Sequence, residues 1–152
     1  MSLSPRAFLR HLLRPAVVIA VVAASCRPAL ALVDDAHSTA LEAAVEEVKK
    51  GFKIRQEYWK GSTVSGEQKL VRHQLFKGGE VWFWLASSVE GAKFEIDIYD
   101  AKGVKIEAQK KTHDGCVGLH LTVPKTGTYL VVFKLTGREK AMLDWALVYG
   151  WK

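Results

Sequence analysis

Cysteine is scarce in this chain: two residues in 152, Cys26 and Cys116. No disulfide framework is available, so a folded domain must be held by its apolar core alone. Catalytic signatures are missing as well. There is no nucleophile elbow and no His-Glu-x-x-His pair, and Gly78-Gly79 precedes a strand-like run rather than a helix, which removes a phosphate-cradling loop. Scattered Ser, His and Asp residues do not make a triad without geometry. Nothing calls for a cofactor. The apolar run Pro15–Ala24 is half of the roughly 20 residues a membrane-spanning helix needs. Internal repeats, low-complexity tracts and linkers are absent after Leu32.

What that short apolar run does fit is an export signal. Arg6, Arg10 and Arg14 form a basic region before it, and Ala29-Leu30-Ala31 satisfies the small-x-small cleavage rule. The reading is a signal peptide over 1–31, cleavage near Ala31, and a periplasmic or secreted product. Ala23-Ala24-Ser25-Cys26 is a loose lipobox, with Ala23 where a bulky aliphatic is expected, so the alternative is a lipoprotein anchored at Cys26. Residues 1–31 carry four of the 22 basic residues and no acid; the +6 net charge of the whole chain therefore falls to +2 without them. The high isoelectric point belongs to the signal and gives no case for a nucleic-acid partner.

From Leu32 the first element predicted is a helix over 32–51. Leu41, Ala44, Val45 and Val48 fall on one face, Thr39 and Glu42 match a capping box, Glu46 and Lys50 make an i,i+4 pair, and Gly51 suits the end. Its stripe of about three turns must dock on something. At Phe52 the period changes to two. Strands are expected near 52–59, 69–76, 81–87, 94–100, 104–108, 116–123, 128–135 and 142–150, with turn residues between them. The clearest stretch is Gly115–Leu135: Val117, Leu119, Leu121 and Val123 alternate, and Tyr129, Val131, Phe133 and Leu135 resume the alternation. Pro124 and Gly127 between them suit a bulged hairpin with positive φ at the glycine. The fold class is mostly β: a two-sheet antiparallel, jelly-roll-like sandwich of about eight strands over 52–152, with one N-terminal amphipathic helix.

Gly78-Gly-x-Val-Trp-Phe-Trp84, Phe94-Glu-Ile-Asp-Ile-Tyr-Asp-Ala-Lys-Gly103 and Pro124-Lys-Thr-Gly-Thr-Tyr129 together resemble the bacterial pre-peptidase C-terminal domain, from about Phe52 to the end of the chain. The layout is similar to exported bacterial proteins in which a signal peptide, one short helix and this sandwich make up the chain. The resemblance implies a secreted, non-catalytic sandwich of a kind that accompanies hydrolases and in some cases binds polymeric substrate. No catalytic domain is attached here, which points to a standalone binding or assembly protein.

Candidate site residues are aromatic first. In Val81-Trp82-Phe83-Trp84-Leu85 either the Val/Phe/Leu set or the two tryptophans face the core. Trp82 and Trp84 on an outer face would lie about 7 Å apart, a platform for sugar rings, unless the helix covers them. Trp151 is the other candidate for an exposed ring. Asp97, Asp100 and Asp114 are too few acids, among too many lysines, for calcium; Asp100 reads instead as a turn-opening residue. His113, Cys116 and His120 are ligand types for zinc or copper, but Cys116 and His120 would stand about 13 Å apart along one strand. His73 is a further possible partner for them. The basic stretch 105–111 reads as a solvated loop and a guarded sheet edge, whereas Met142–Trp151, with only Asp144 charged, reads as an unguarded edge through which another exported protein could pair. The expected function is binding of a cell-envelope or extracellular polymer (glycan or protein), with assembly through that edge as the alternative and metal binding as the less favoured third.

Overall fold

The structure, a computed structural model, describes residues 34–152; the expected export signal, the expected cleavage near Ala31 and the lipidation alternative at Cys26 lie outside the described residues. Among the described residues one helix, α1 (Asp35–Lys49), precedes ten strands: β1 (Lys53–Ile54), β2 (Trp59–Val64), β3 (Gln68–Leu75), β4 (Glu80–Ala86), β5 (Lys93–Asp100), β6 (Lys105–Ile106), β7 (Gln109–His113), β8 (Cys116–Thr122), β9 (Gly127–Thr136) and β10 (Met142–Trp151). They form two antiparallel sheets. The larger runs β1-β10-β4-β8-β7, with β2 also pairing β10, and the smaller runs β3-β9-β5-β6. This is the expected two-sheet sandwich with one helix.

The alternation that defines the class does what it promises. Val117, Leu119, Leu121 and Val123 from one run, and Tyr129, Val131, Phe133 and Leu135 from the other, are all buried in the layer between the sheets. The connection, however, is not a hairpin. Strand β8 lies between β4 and β7 in the larger sheet, and β9 between β3 and β5 in the smaller, so residues 123–126 arch from one sheet to the other. Val123 exchanges backbone hydrogen bonds with the β3–β4 turn (Gly78 N to Val123 O, 2.8 Å; Val123 N to Gly79 O, 2.9 Å), and the Tyr129 hydroxyl donates to Lys125 O at 2.7 Å. Positive φ is not used at Gly127.

Three further expectations are corrected. The first predicted strand splits into β1 and β2, and Gly61 lies inside β2, where its missing side chain leaves room for the Trp145 ring. The lysine-rich stretch, read as a solvated loop and a guarded sheet edge, is no loop where it supplies the edge strand β7, paired to β8. And β10 is no edge: β4 pairs on one side, β1 and β2 on the other, which removes the unguarded edge on which the assembly alternative rested.

The helix is capped by Asp34 rather than Thr39; the Asp34 carboxylate accepts from His37 N at 3.1 Å and from the Tyr58 hydroxyl at 3.0 Å. Lys50 pairs with Glu47 instead of Glu46 (2.9 Å), and Gly51, at φ +100°, ends the helix as expected. Its docking face is shifted, so that of the predicted stripe only Ala44 stays buried. Ala36, Ala40, Ala43, Ala44 and Glu47 are buried, while Leu41, Val45 and Val48 face out. The reason is what lies beneath. Val81, Phe83 and Leu85 of β4 point between the sheets, and Trp82 and Trp84 point to the helix side. Two indoles already fill that layer, so the helix must present its smallest residues to reach the sheet.

The indoles are accommodated by glycine. Their rings stack with centroids 5.6 Å apart and planes 9° from parallel. A Cβ on Gly118 would come within 2.8 Å of Trp82, and one on Gly150 within 2.8 Å of Trp84. Gly150→Ala is therefore expected to cost about 1–3 kcal/mol by overpacking. Gly127→Ala, where a Cβ meets nothing within 4 Å, should stay within about 0.5 kcal/mol. Urea midpoints for the two variants check this, and a Gly150→Ala midpoint equal to that of the parent would refute the slot.

Candidate functional site

The covered face decides the tryptophan question. Trp82 and Trp84 are 7% and 0% exposed beneath α1, so they cannot serve as an open platform. Trp151, at 38%, is exposed. It stands at the end of β10, two residues beyond Tyr149 and on the same strand face, and the two rings lie 5.7 Å apart with planes 14° from parallel.

These rings wall one side of a cleft of about 640 Å³. Phe76, 69% exposed just after β3, Ile54 of β1, Arg55 and Glu57 of the β1–β2 connection, and His73 of β3 line it as well. The sequence positions these groups simply. Period-two geometry brings Tyr149 and Trp151 to one face, and the antiparallel pairing of Ile54 with Gly150 carries Arg55 alongside; Arg55 N donates to Tyr149 O at 2.9 Å. The Arg55 guanidinium is in turn held by Glu57, Nε to Oε2 at 2.7 Å.

His73 is packed among rings: Tyr149 at 4.5 Å, Trp59 at 5.2 Å and Phe83 at 6.2 Å between centroids. Burial, seconded by the positive charge of Arg55, holds its pKa below the ordinary value. Burial likewise raises the Tyr149 pKa, against the pull of Arg55. Aromatic faces beside a planar cation, a carboxylate and an amide (Gln74) are the groups that hold a flat, hydroxyl-rich ring: carbon faces stack on the aromatics and hydroxyls bond to the polar rim.

The other candidates are scattered. Asp97 is paired with Lys105 and Lys110, at 3.0 and 2.8 Å. Asp100 accepts from the backbone N–H groups of Lys102 and Val104, both at 2.9 Å, which is the turn-opening role. Asp114 sits in the turn between β7 and β8. His113 opposes Cys116 in register across that turn, His120 lies further along β8 stacked on Trp82, and His73 belongs to the other sheet. Among the described residues no group of three or more His, Cys, Asp or Glu side chains is placed to hold a metal ion.

Sequence reasoning found Trp151 but not Tyr149, Phe76, Arg55 or His73 as its companions. The signal was present: Tyr149 and Trp151 are spaced as Trp82 and Trp84 are. Comparison with family models and with curated proteins finds no match to this chain.

Two measurements follow from this geometry. Burial pushes the Cys116 thiol up to about 12, so it stays protonated at neutral pH. Native protein should leave Cys116 unalkylated by iodoacetamide under conditions that label it fully in denaturant, read by peptide mass spectrometry. Equal labelling would refute the buried placement. His73, with its native pKa lowered, is protonated in the unfolded chain at a higher pH than in the folded one. Its contribution to stability is complete above about pH 6.5 and falls as the pH drops from there toward the native value. Unfolding free energies measured across that window should decline in the parent and decline less in His73→Gln; identical slopes would count against it.

Proposed function

We propose that this protein is an exported, non-catalytic β-sandwich that binds a carbohydrate-type polymer of the cell envelope or its surroundings through the Trp151 cleft. The observation that carries the reading is that two exposed aromatic residues, Trp151 and Phe76, line one cleft together with the Arg55–Glu57 ion pair. Large apolar rings left in water at a cleft mark an interaction surface more often than a packing accident. Aromatic anchors with a charged rim are the usual composition of a ligand site. Export rests on the Arg6–Ala31 pattern, and the resemblance to the pre-peptidase C-terminal domain fits a non-catalytic role.

In this reading Trp151 is the anchor. Trp151→Ala and Phe76→Ala should each lower retention on insoluble peptidoglycan or polysaccharide by about tenfold or more, the size typical of a truncated aromatic anchor. Leu70→Ala, an exposed apolar residue of β3 outside the cleft, should leave retention unchanged. Equal retention of all three variants, or no retention of the parent on any of these polymers, would overturn the reading.

A further inference from the structure

We propose that two copies of this chain associate through the outer face of α1, as an antiparallel helix pair about a two-fold axis near Val45. Leu41, Val45 and Val48 carry the surface. They recur at the i, i+4, i+7 spacing of a helical seam and are 37%, 46% and 45% exposed. The buried face of the helix is a different set, Ala36, Ala40, Ala43, Ala44 and Glu47, already packed on the larger sheet. Three large aliphatic side chains in one line on a packed helix form an unpartnered seam, unlike apolar residues exposed singly.

The charges beside the seam select its occupant. At about 100° per residue, Glu42 and Lys49 fall on the same flank of the stripe, two turns apart. Both are exposed, and neither has an ion-pair partner among the described residues, whereas Glu46, Glu47 and Lys50 are all paired. The other flank, with Ala44, is turned into the sheet. When two such helices run antiparallel, the charged flank faces its own copy in reverse order. Val45 then meets Val45 near the axis, Leu41 lies against Val48, and Glu42 lies opposite Lys49, twice by symmetry. A parallel pair would set Glu42 level with Glu42 and Lys49 level with Lys49, which repel. The antiparallel pair also brings the positive end of each helix dipole beside the negative end of the other. A net charge of +2 without residues 1–31 adds little repulsion between copies.

The size of the seam sets the strength. A helix of 15 residues is about 22 Å long, and one such pair falls short of the roughly 800 Å² per partner of a standard interface. The dimer is therefore weak, with a Kd of about 10–100 µM.

Sedimentation equilibrium of the naturally processed chain, from about 1 µM to about 1 mM, tests this. The parent should pass from monomer to dimer across that range, and Val45→Asp should weaken the dimer by about tenfold or more. Glu42→Lys should weaken it about fivefold, and Glu42→Lys combined with Lys49→Glu should return it to within about twofold of the parent. All three positions are exposed, and thermal unfolding of each variant checks that the fold is intact. Should Val45→Asp fail to fold, the charge swap decides alone. A parent that stays monomeric at the top of the range, a dimer indifferent to Val45→Asp, or a charge swap that does not rescue would overturn the proposal. A monomer that binds phosphatidylglycerol vesicles, and loses them in Val45→Asp, would give the stripe to a membrane surface and overturn it equally. No residue of α1 lines the Trp151 cleft, so Trp151→Ala should dimerise as the parent does, and the two proposals fail separately.

Discussion

Strand β4 is buried on both faces, and most of the architecture follows from that. Every residue from Val81 to Ala86 is withdrawn from solvent. Its odd positions belong to the layer between the sheets and its even positions to a second layer under α1. A strand of this kind cannot sit in a simple sandwich with one face wet, because Trp82 and Trp84 would expose two indoles side by side. Something has to cover them. The helix does so, tied at its start by Asp34 to Tyr58 and at its end by Glu46 and Glu47 to Lys111. The cover is thus fastened to both margins of the larger sheet, and its hydrophobic contribution comes from alanines resting on indoles rather than from its own large side chains.

This explains where the sequence was legible and where it was not. Alternation at 117–123 and 129–135 depends only on which face meets the core, and every residue it marks is buried. Hairpin and arch look alike at that level. Both strands bury the same parity against one shared layer, so a short turn containing proline and glycine reads the same whether the chain folds back beside itself or crosses to the other sheet. The helix face failed for a different reason. Hydropathy ranks Leu41, Val45 and Val48 above Ala40, Ala43 and Ala44, but the docking surface was already filled by tryptophan, and close approach needed small residues. That constraint comes from the partner surface and is invisible in the helix itself. Strand β7 carries no apolar period at all; Gln109-Lys-Lys-Thr-His113 is held by backbone pairing to β8 at an edge where water faces it.

The site was half legible on the same grounds. An aromatic near a chain end invites attention, which picked out Trp151. Phe76 and Arg55 reach it only because β3 and β1 both end beside the same cleft, a matter of topology rather than of local pattern. His120 was weighed as a metal ligand and set aside on spacing, and its ring is stacked on Trp82. The spacing argument that separated it from Cys116 agrees with the structure, where His120 lies further along β8 and no group of three ligand side chains forms among the described residues.

Trp151 and Lys152 are neighbours in sequence, yet they serve opposite faces of the same sheet. Period-two geometry sends Trp151 toward Tyr149 and Lys152 toward Phe52. What makes this useful is that the strand stays paired to its last residues: Trp151 lies opposite both Lys53 and Val81, and Lys152 N donates to Glu80 O at 2.9 Å. A frayed end would let both side chains wander and would cost the Trp151 cleft one wall. Zipped between β1 and β4, the end of β10 fixes both at once, and β4 supplies the rigidity because its own two faces are packed. The buried strand that demanded a helical cover is therefore also the strand that holds the Trp151 cleft in place.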